Sequence, residues 1–203
     1  MRLLRLLLLI SLLWLTACGG GDPRLTPLDD DAVVLAFGDS LTHGTGASAD
    51  QSYPAVLQEL IGHTVIRSGV PGEVSAKGLE RLDSVLDEHQ PALVLLCHGG
   101  NDLLQRKDKG RMRANLQAMI ERIRERGAEV VLIGVAAPIP FFSAAEHYER
   151  VAEETGVAFQ GSIIGDVLGD ADLRSDQVHP NAQGYRRMAE AVAELLREHG
   201  ALR

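Results

Sequence analysis

The sequence predicts a three-layer α/β/α sandwich, with a central parallel sheet of five strands and helices on both faces. Three observations lead there. Apolar runs of strand length recur along the chain, and segments with apolar steps of three and four fill the intervals. The alternation continues from Ala32 to the C-terminus with no internal repeat and no second linker, which argues for one domain. Parallel strands need crossover connections, and the helical segments provide them.

Taken in order, Ala32-Val33-Val34-Leu35-Ala36-Phe37 is a continuous apolar run stopped by Gly38, as expected for a strand buried on both faces. Pro54 to Ile61 has helical spacing, and Thr64-Val65-Ile66 is a short second strand. Leu79, Leu82, Val85 and Leu86 mark a helix, followed by a third strand from Ala92 to Cys97 that ends in Gly99-Gly100. Met112, Leu116, Met119, Ile120 and Ile123 mark the next helix, and Val130 to Val135 a fourth strand ended by Ala136-Ala137-Pro138. Ala144 to Glu154 is helical, and Val157-Ala158-Phe159 is a weaker fifth strand. Tyr185, Met188, Ala189, Val192, Leu195 and Leu196 line one face of a final helix.

The 203 residues suit a single core, and 45% hydrophobic with 24% charged residues excludes disordered and fibrous classes. The formal charge of −8 becomes −10 once Arg2 and Arg5 are set aside with the leader. An acidic body repels phosphate backbones, so nucleic acid is not an expected partner.

Residues 1–17 read as a signal peptide. Arg2 and Arg5 precede an apolar run from Leu6 to Leu15 that is too short to span a bilayer comfortably. Leu15-Thr16-Ala17-Cys18-Gly19 resembles the bacterial lipobox, which implies cleavage before Cys18 and lipid modification of its thiol. Trp14 would leave with the leader. Cys97, in an apolar strand, is then the remaining cysteine and is expected to be a buried free thiol, so no disulfide staples the fold. Gly19 to Asp31 is rich in glycine, proline and aspartate and is expected to be a flexible tether, reaching at most about 45 Å when extended. The domain then comprises residues 32–203. Gly19 is not the aspartate that resembles an inner-membrane retention signal. In a Gram-negative cell the resemblance implies an outer-membrane anchor, with the domain facing the periplasm.

In such sheets ligands gather at the carboxyl ends of the strands. The first strand is followed by Gly38-Asp39-Ser40-Leu41-Thr42, the second by Gly69-Val70-Pro71-Gly72-Glu73, and the third by His98-Gly99-Gly100-Asn101-Asp102. Asp176-Gln177-Val178-His179-Pro180 precedes the last helix. Each segment alone is an ordinary turn, cap or loop. Together they bring a hydroxyl, a carboxylate, an imidazole and an amide to one sheet edge, which is the inventory acyl transfer requires.

On these four blocks, in this order, the chain resembles the SGNH (GDSL) hydrolase superfamily, and more narrowly its bacterial thioesterase/lysophospholipase/arylesterase branch. The resemblance implies a five-stranded flavodoxin-like sandwich, no metal and no organic cofactor. It implies Ser40 as nucleophile, His179 as base and Asp176 as the residue orienting the base. The oxyanion would be held by the N–H groups of Ser40 and Gly72 and by the side-chain amide of Asn101. Arg67 and Glu73 depart from the asparagine and aspartate common in relatives, and Arg67 is expected near the pocket rim. His98 and His43 are further candidates to line the pocket. Gly44-Thr45-Gly46-Ala47-Ser48-Ala49 reads as a flexible loop rather than a dinucleotide site. Ile139, Phe141 and Phe142 are candidate acyl-contacting residues after the fourth strand.

The expected activity is hydrolysis of small-molecule or lipid carboxylic esters, with thioesters a further substrate class, by an enzyme held at the membrane through Cys18. Two other readings stand beside it: an acetylesterase of cell-wall or other polysaccharides, and a non-catalytic envelope lipoprotein. The intact set of five site residues argues against the last.

Overall fold

The computed structural model describes residues 23–135 and 145–202. Five parallel strands, β1 (Val33–Gly38), β2 (Thr64–Gly69), β3 (Leu93–Cys97), β4 (Glu129–Ile133) and β5 (Ala158–Gln160), lie in the order β2-β1-β3-β4-β5. The chain steps from β1 to one side and then returns past it to β3. With right-handed crossovers that reversal sends helices to opposite faces. Accordingly α2 (Tyr53–Ile61), α7 (Ile163–Gly169) and α8 (Ala182–Glu198) pack together, while α3 (Ser75–His89), α5 (Lys109–Glu125) and α6 (Ala145–Thr155) form the other layer. Two short helices, α1 (Ser40–His43) and α4 (Gly100–Leu104), follow β1 and β3 directly.

The expected sandwich is therefore present, and the central strands explain why it was readable. Val34 to Phe37 and Leu93 to Cys97 are wholly buried, so selection for apolar side chains acts on both faces. Cys97 is a buried free thiol, and burial pushes its pKa well up. The edge strand β2 runs three residues beyond its apolar stretch, with Arg67, Ser68 and Gly69 paired to Ala36, Phe37 and Gly38. An edge strand with one face toward solvent tolerates polar residues there. Helix α7 was not anticipated, because seven residues containing Gly165 and Gly169 carry little periodic signal.

The segment expected to be a tether is corrected from Pro23 onward. The N–H of Leu25 donates to the His199 carbonyl, and that of Leu28 to the Ala201 carbonyl, each at 2.9 Å. Leu25 is 6% exposed and belongs to the core. Thr26 Oγ1 donates to Glu129 Oε1 at 2.8 Å. Burying one leucine contributes about 2 kcal/mol, enough with these hydrogen bonds to outweigh the polar composition that suggested a free linker. Glu129 opens β4, so this strap lies at the amino ends of the strands. The four blocks singled out in the sequence lie toward the carboxyl ends, across a sheet whose strands span roughly 17–20 Å. Cys18 and the signal peptide lie outside the described residues.

Candidate active site

Asp39 ends the turn after β1 and caps α1: its Oδ1 accepts the Leu41 N–H at 3.1 Å. This starts the helix at Ser40 and presents the hydroxyl to the cavity at the sheet edge. His179 reaches the same cavity from a tight loop in which the Ser175 N–H donates to the His179 carbonyl at 2.9 Å. Asn181, next after Pro180, caps α8 by accepting the N–H groups of Gln183 and Gly184. The loop is thus anchored to a long helix immediately behind the imidazole.

The side chains form a connected series. Asp176 Oδ2 accepts from His179 Nδ1 at 2.8 Å, and His179 Nε2 lies 3.1 Å from Ser40 Oγ. Asp176 Oδ1 accepts the backbone N–H groups of Val178 at 2.8 Å and His179 at 2.9 Å. Burial would raise the Asp176 pKa, but the His179 contact and these N–H groups outweigh it and hold the carboxyl below its ordinary range. A carboxylate facing Nδ1 fixes the proton there. The Nε2 lone pair is left for the Ser40 hydroxyl, the arrangement a general base requires.

Gly72 and Asn101 come from the neighbouring strand ends. Val70-Pro71-Gly72-Glu73 is a turn closed by the Glu73 N–H donating to the Val70 carbonyl at 3.2 Å, with Gly72 at φ +79°. Proline followed by a glycine at positive φ is the signature of a type II turn. Asn101 Nδ2 donates to Asp39 Oδ2 at 3.1 Å and to the Glu73 carbonyl at 3.0 Å. Both amide hydrogens are thus engaged, so an oxyanion beside Ser40 would receive this amide as a shared donor or by displacing the Glu73 carbonyl. Ser40, Gly72, Asn101 and His179 all border one open cavity of about 240 Å³, with Leu41, Leu104, Val135, Leu168 and Val178 supplying apolar wall. The structure thus brings Ser40, Gly72, Asn101 and His179 to one cavity, with Asp176 hydrogen-bonded behind His179.

Asp39 has a second task that sequence reading missed. It is 1% exposed and bonded to Asn101, so it joins the segment bearing Ser40 to the segment bearing the candidate oxyanion amide. Burial pushes its pKa up, partly offset by nearby His98, the Leu41 N–H, His179 and Asn101. The sequence signal was present only as an acidic residue before Ser40, indistinguishable there from a simple helix cap.

Other expectations are revised. His98 does not line the cavity: it is fully buried, accepts the Gly99 N–H at Nδ1 (2.9 Å), and its Nε2 lies 3.1 Å from Glu73 Oε2. His43 is exposed, and its carbonyl accepts from Arg67 at 2.9 Å, so Arg67 secures the end of α1 rather than lining the cavity. The loop from Gly44 to Ala49 is pinned, since Tyr185 donates to the Thr45 carbonyl at 2.8 Å. Ile139, Phe141 and Phe142 lie outside the described residues.

Residues 36–187 match the model of the GDSL-like Lipase/Acylhydrolase family. The chain is similar to Esterase TesA of Pseudomonas aeruginosa, 31% identical over 177 residues that cover 81% of this chain and 87% of the relative. It is also similar to an arylesterase of Vibrio mimicus, 29% identical with 97% of this chain and 100% of the relative covered. The crystal structure of TesA superposes with a TM-score of 0.77 at 30% identity, covering 82% of this chain and 99% of that one. Esterase AlinE4, described as an SGNH-hydrolase family member, gives 0.67 at 30% identity, with 84% and 97% covered. A family match across three quarters of the sequence, on a matching fold, means that the chain belongs to the GDSL-like lipase/acylhydrolase family and is a hydrolase of ester bonds.

Proposed function

We propose that Ser40, His179 and Asp176 form the catalytic triad of a serine esterase, with the Ser40 and Gly72 N–H groups and the Asn101 amide as its oxyanion hole. The observation that carries the assignment is the hydrogen-bonded series Asp176–His179–Ser40, at 2.8 and 3.1 Å, opening onto one cavity. In the first half-reaction Ser40 Oγ attacks the ester carbonyl carbon while His179 Nε2 takes the hydroxyl proton. The tetrahedral intermediate collapses as His179 returns that proton to the leaving oxygen or sulfur, releasing the alcohol or thiol. Water then attacks the acyl-enzyme with His179 again as base, and the carboxylic acid leaves Ser40 free.

Donors aimed at the oxyanion act where charge develops, so removing one raises the barrier by about 3–4 kcal/mol. Asn101→Ala is therefore expected to lower kcat by roughly 100- to 1000-fold. Steady-state kinetics on p-nitrophenyl butyrate check this, and an unchanged kcat would remove Asn101 from the oxyanion hole.

On substrate, the reading is a hydrolase of carboxylic esters of the arylesterase/lysophospholipase/acyl thioesterase type, in line with the activities named for the relatives. The cavity is below the roughly 300–1,000 Å³ of typical ligand pockets, while Leu104 at its border is 48% exposed and offers apolar surface beyond it. The cavity size also favours the second reading, a polysaccharide acetylesterase. Comparing p-nitrophenyl esters from acetate to palmitate with an acetylated glycan and a lysophospholipid separates them. Activity confined to acetyl groups would select the acetylesterase, and activity on longer chains the esterase/lysophospholipase.

Cys18 is proposed as the lipid-bearing residue, holding the enzyme at the outer membrane of a Gram-negative cell with its domain in the periplasm. Because Pro23 to Leu28 is strapped to the fold, only four residues would separate Cys18 from it, about 14 Å of extended chain. The strap lies at the sheet edge opposite the cavity, which supports substrates drawn from the aqueous compartment rather than from the anchoring leaflet. Cys18→Ser is expected to move the protein from membrane pellet to soluble fraction. A variant that still partitions fully with membranes would defeat the anchor.

A further inference from the structure

We infer that Glu73, clamped between Arg81 and His98, is a positioning residue that sets the oxyanion geometry by locking together the three strand ends that carry Ser40, Gly72 and Asn101. The inference rests on the oxyanion assignment above. Glu73 directly follows Gly72, and its backbone carbonyl accepts from Asn101 at 3.0 Å. Its side chain points the other way, into a nearly closed polar cluster. Arg81 Nε donates to both carboxylate oxygens, at 2.9 and 2.8 Å, and His98 Nε2 lies 3.1 Å from Oε2.

Arg81 reaches further. Its terminal nitrogens donate to Ser68 Oγ at 2.8 Å, to the Ser68 carbonyl at 3.2 Å and to the Gly38 carbonyl at 3.0 Å. Its guanidinium lies over the Phe37 ring, 4.0 Å from the centroid. One planar fork therefore grips the ends of β1 and β2 together with the turn that follows β2, which a lysine ammonium could not do. His98 ties in β3. Its Nδ1 accepts the Gly99 N–H, so Nε2 carries the hydrogen and donates to Glu73. The ring has room because residue 78 is glycine: a Cβ there would fall 2.3 Å from His98 Nε2. The cluster does not border the cavity, so its route to catalysis is through the position of Gly72, Glu73 and Asn101.

In Glu73→Gln one carboxylate oxygen becomes an NH₂ group. With the amide oxygen at the Oε2 position, Arg81 Nε meets that NH₂ at the Oε1 position; with the amide turned, both Arg81 Nε and His98 Nε2 meet it. Either orientation sets a donor against a donor. Misplacing oxyanion donors by a fraction of an ångström to one ångström costs about 10- to 100-fold in rate. The test uses the full chain in detergent, with active sites counted by an alkyl fluorophosphonate that reacts at a nucleophilic serine. Glu73→Gln is expected to lower kcat per titrated site by about 10- to 100-fold with KM within about twofold, and to weaken a boronate transition-state analogue by the same factor while leaving carboxylate product inhibition unchanged. Arg81→Lys keeps the charge and should show the same split, so the inference stays testable should Glu73→Gln fail to fold. A folded variant with wild-type kcat per site, or a loss confined to KM or to the titratable fraction, would overturn it. Failure of the underlying site assignment shows separately, as wild-type protein that takes up no phosphonate on Ser40.

Discussion

Ser40→Ala lowers kcat on p-nitrophenyl acetate by about 10⁵-fold with little change in melting temperature; that is the largest single effect the structure predicts. The substitution removes the hydrogen bond to His179, while α1 keeps its cap, because Asp39 starts that helix through the Leu41 N–H and not through Ser40. The fold therefore does not depend on the hydroxyl. The chemistry does: an alanine offers no nucleophile for His179 to deprotonate, no acyl-enzyme forms, and direct attack by water is all that remains. Groups that act as one unit are not additive, so His179→Ala should cost about as much as Ser40→Ala, and the double variant little more. A residual rate of roughly 10³ over water should persist in all three from the oxyanion donors. Kinetics on the three purified proteins, with thermal melts alongside, check this. Ser40→Ala retaining more than about 1% of wild-type kcat would mean that another group attacks the ester.

The parts of this fold that were legible in the sequence are those in which one physical demand dominates. β1 and β3 are buried on both faces, so their sequences are apolar without interruption, and α8 buries one broad face against the body, so its apolar residues recur at three and four. Ser40, Gly72, Asn101, Asp176 and His179 could be picked out because each follows a strand or precedes a helix, where side chains are placed by turns rather than consumed by the core. Competing demands concealed the rest. Pro23 to Asp31 has the composition of a linker, yet two leucines and a few carbonyl contacts near the end of α8 dock it.

The contacts that join the site segments were hidden for a different reason. Asp39, Glu73, Arg81 and His98 are separated by up to 59 positions, and no periodicity relates them. A helix cap, an exposed glutamate, an arginine on a helical face and a strand-end histidine are each unremarkable locally. Only the β2-β1-β3 order turns them into neighbours, by bringing the ends of three strands side by side. Sequence patterns report which face of an element is buried. They do not report which polar groups meet at the point where elements converge, and here those meetings join the strand ends that carry the proposed oxyanion donors.

Asp176→Asn is expected to lower kcat by about 10⁴-fold, and by more than Asp176→Ala does, although asparagine is the closer match in shape. The carboxylate has two jobs on its two oxygens: Oδ1 accepts two backbone N–H groups, and Oδ2 accepts the imidazole Nδ1–H. An asparagine has one oxygen for both. Two backbone donors outweigh one, so the oxygen stays on Val178 and His179 and the NH₂ group turns toward Nδ1. That forces Nδ1 to accept, moves the ring proton to Nε2, and aims a donor at Ser40 where a base is needed. Alanine removes the carboxylate without imposing the wrong tautomer, because water can accept the Nδ1–H at a position whose carboxylate side chain is 54% exposed. The same exposure limits the charge effect: two unit charges 4 Å apart in water interact by only about 1 kcal/mol, so proton placement outweighs field stabilisation here. The lowered Asp176 pKa fits that role with a defined sign. The carboxylate's native contacts contribute stability above its unfolded pKa, and that contribution is lost as pH falls through the lower folded value. Activity of the two variants near neutral pH decides the matter. Asp176→Ala falling as far as Asp176→Asn, or further, would show that the negative charge and not the tautomer is what His179 requires.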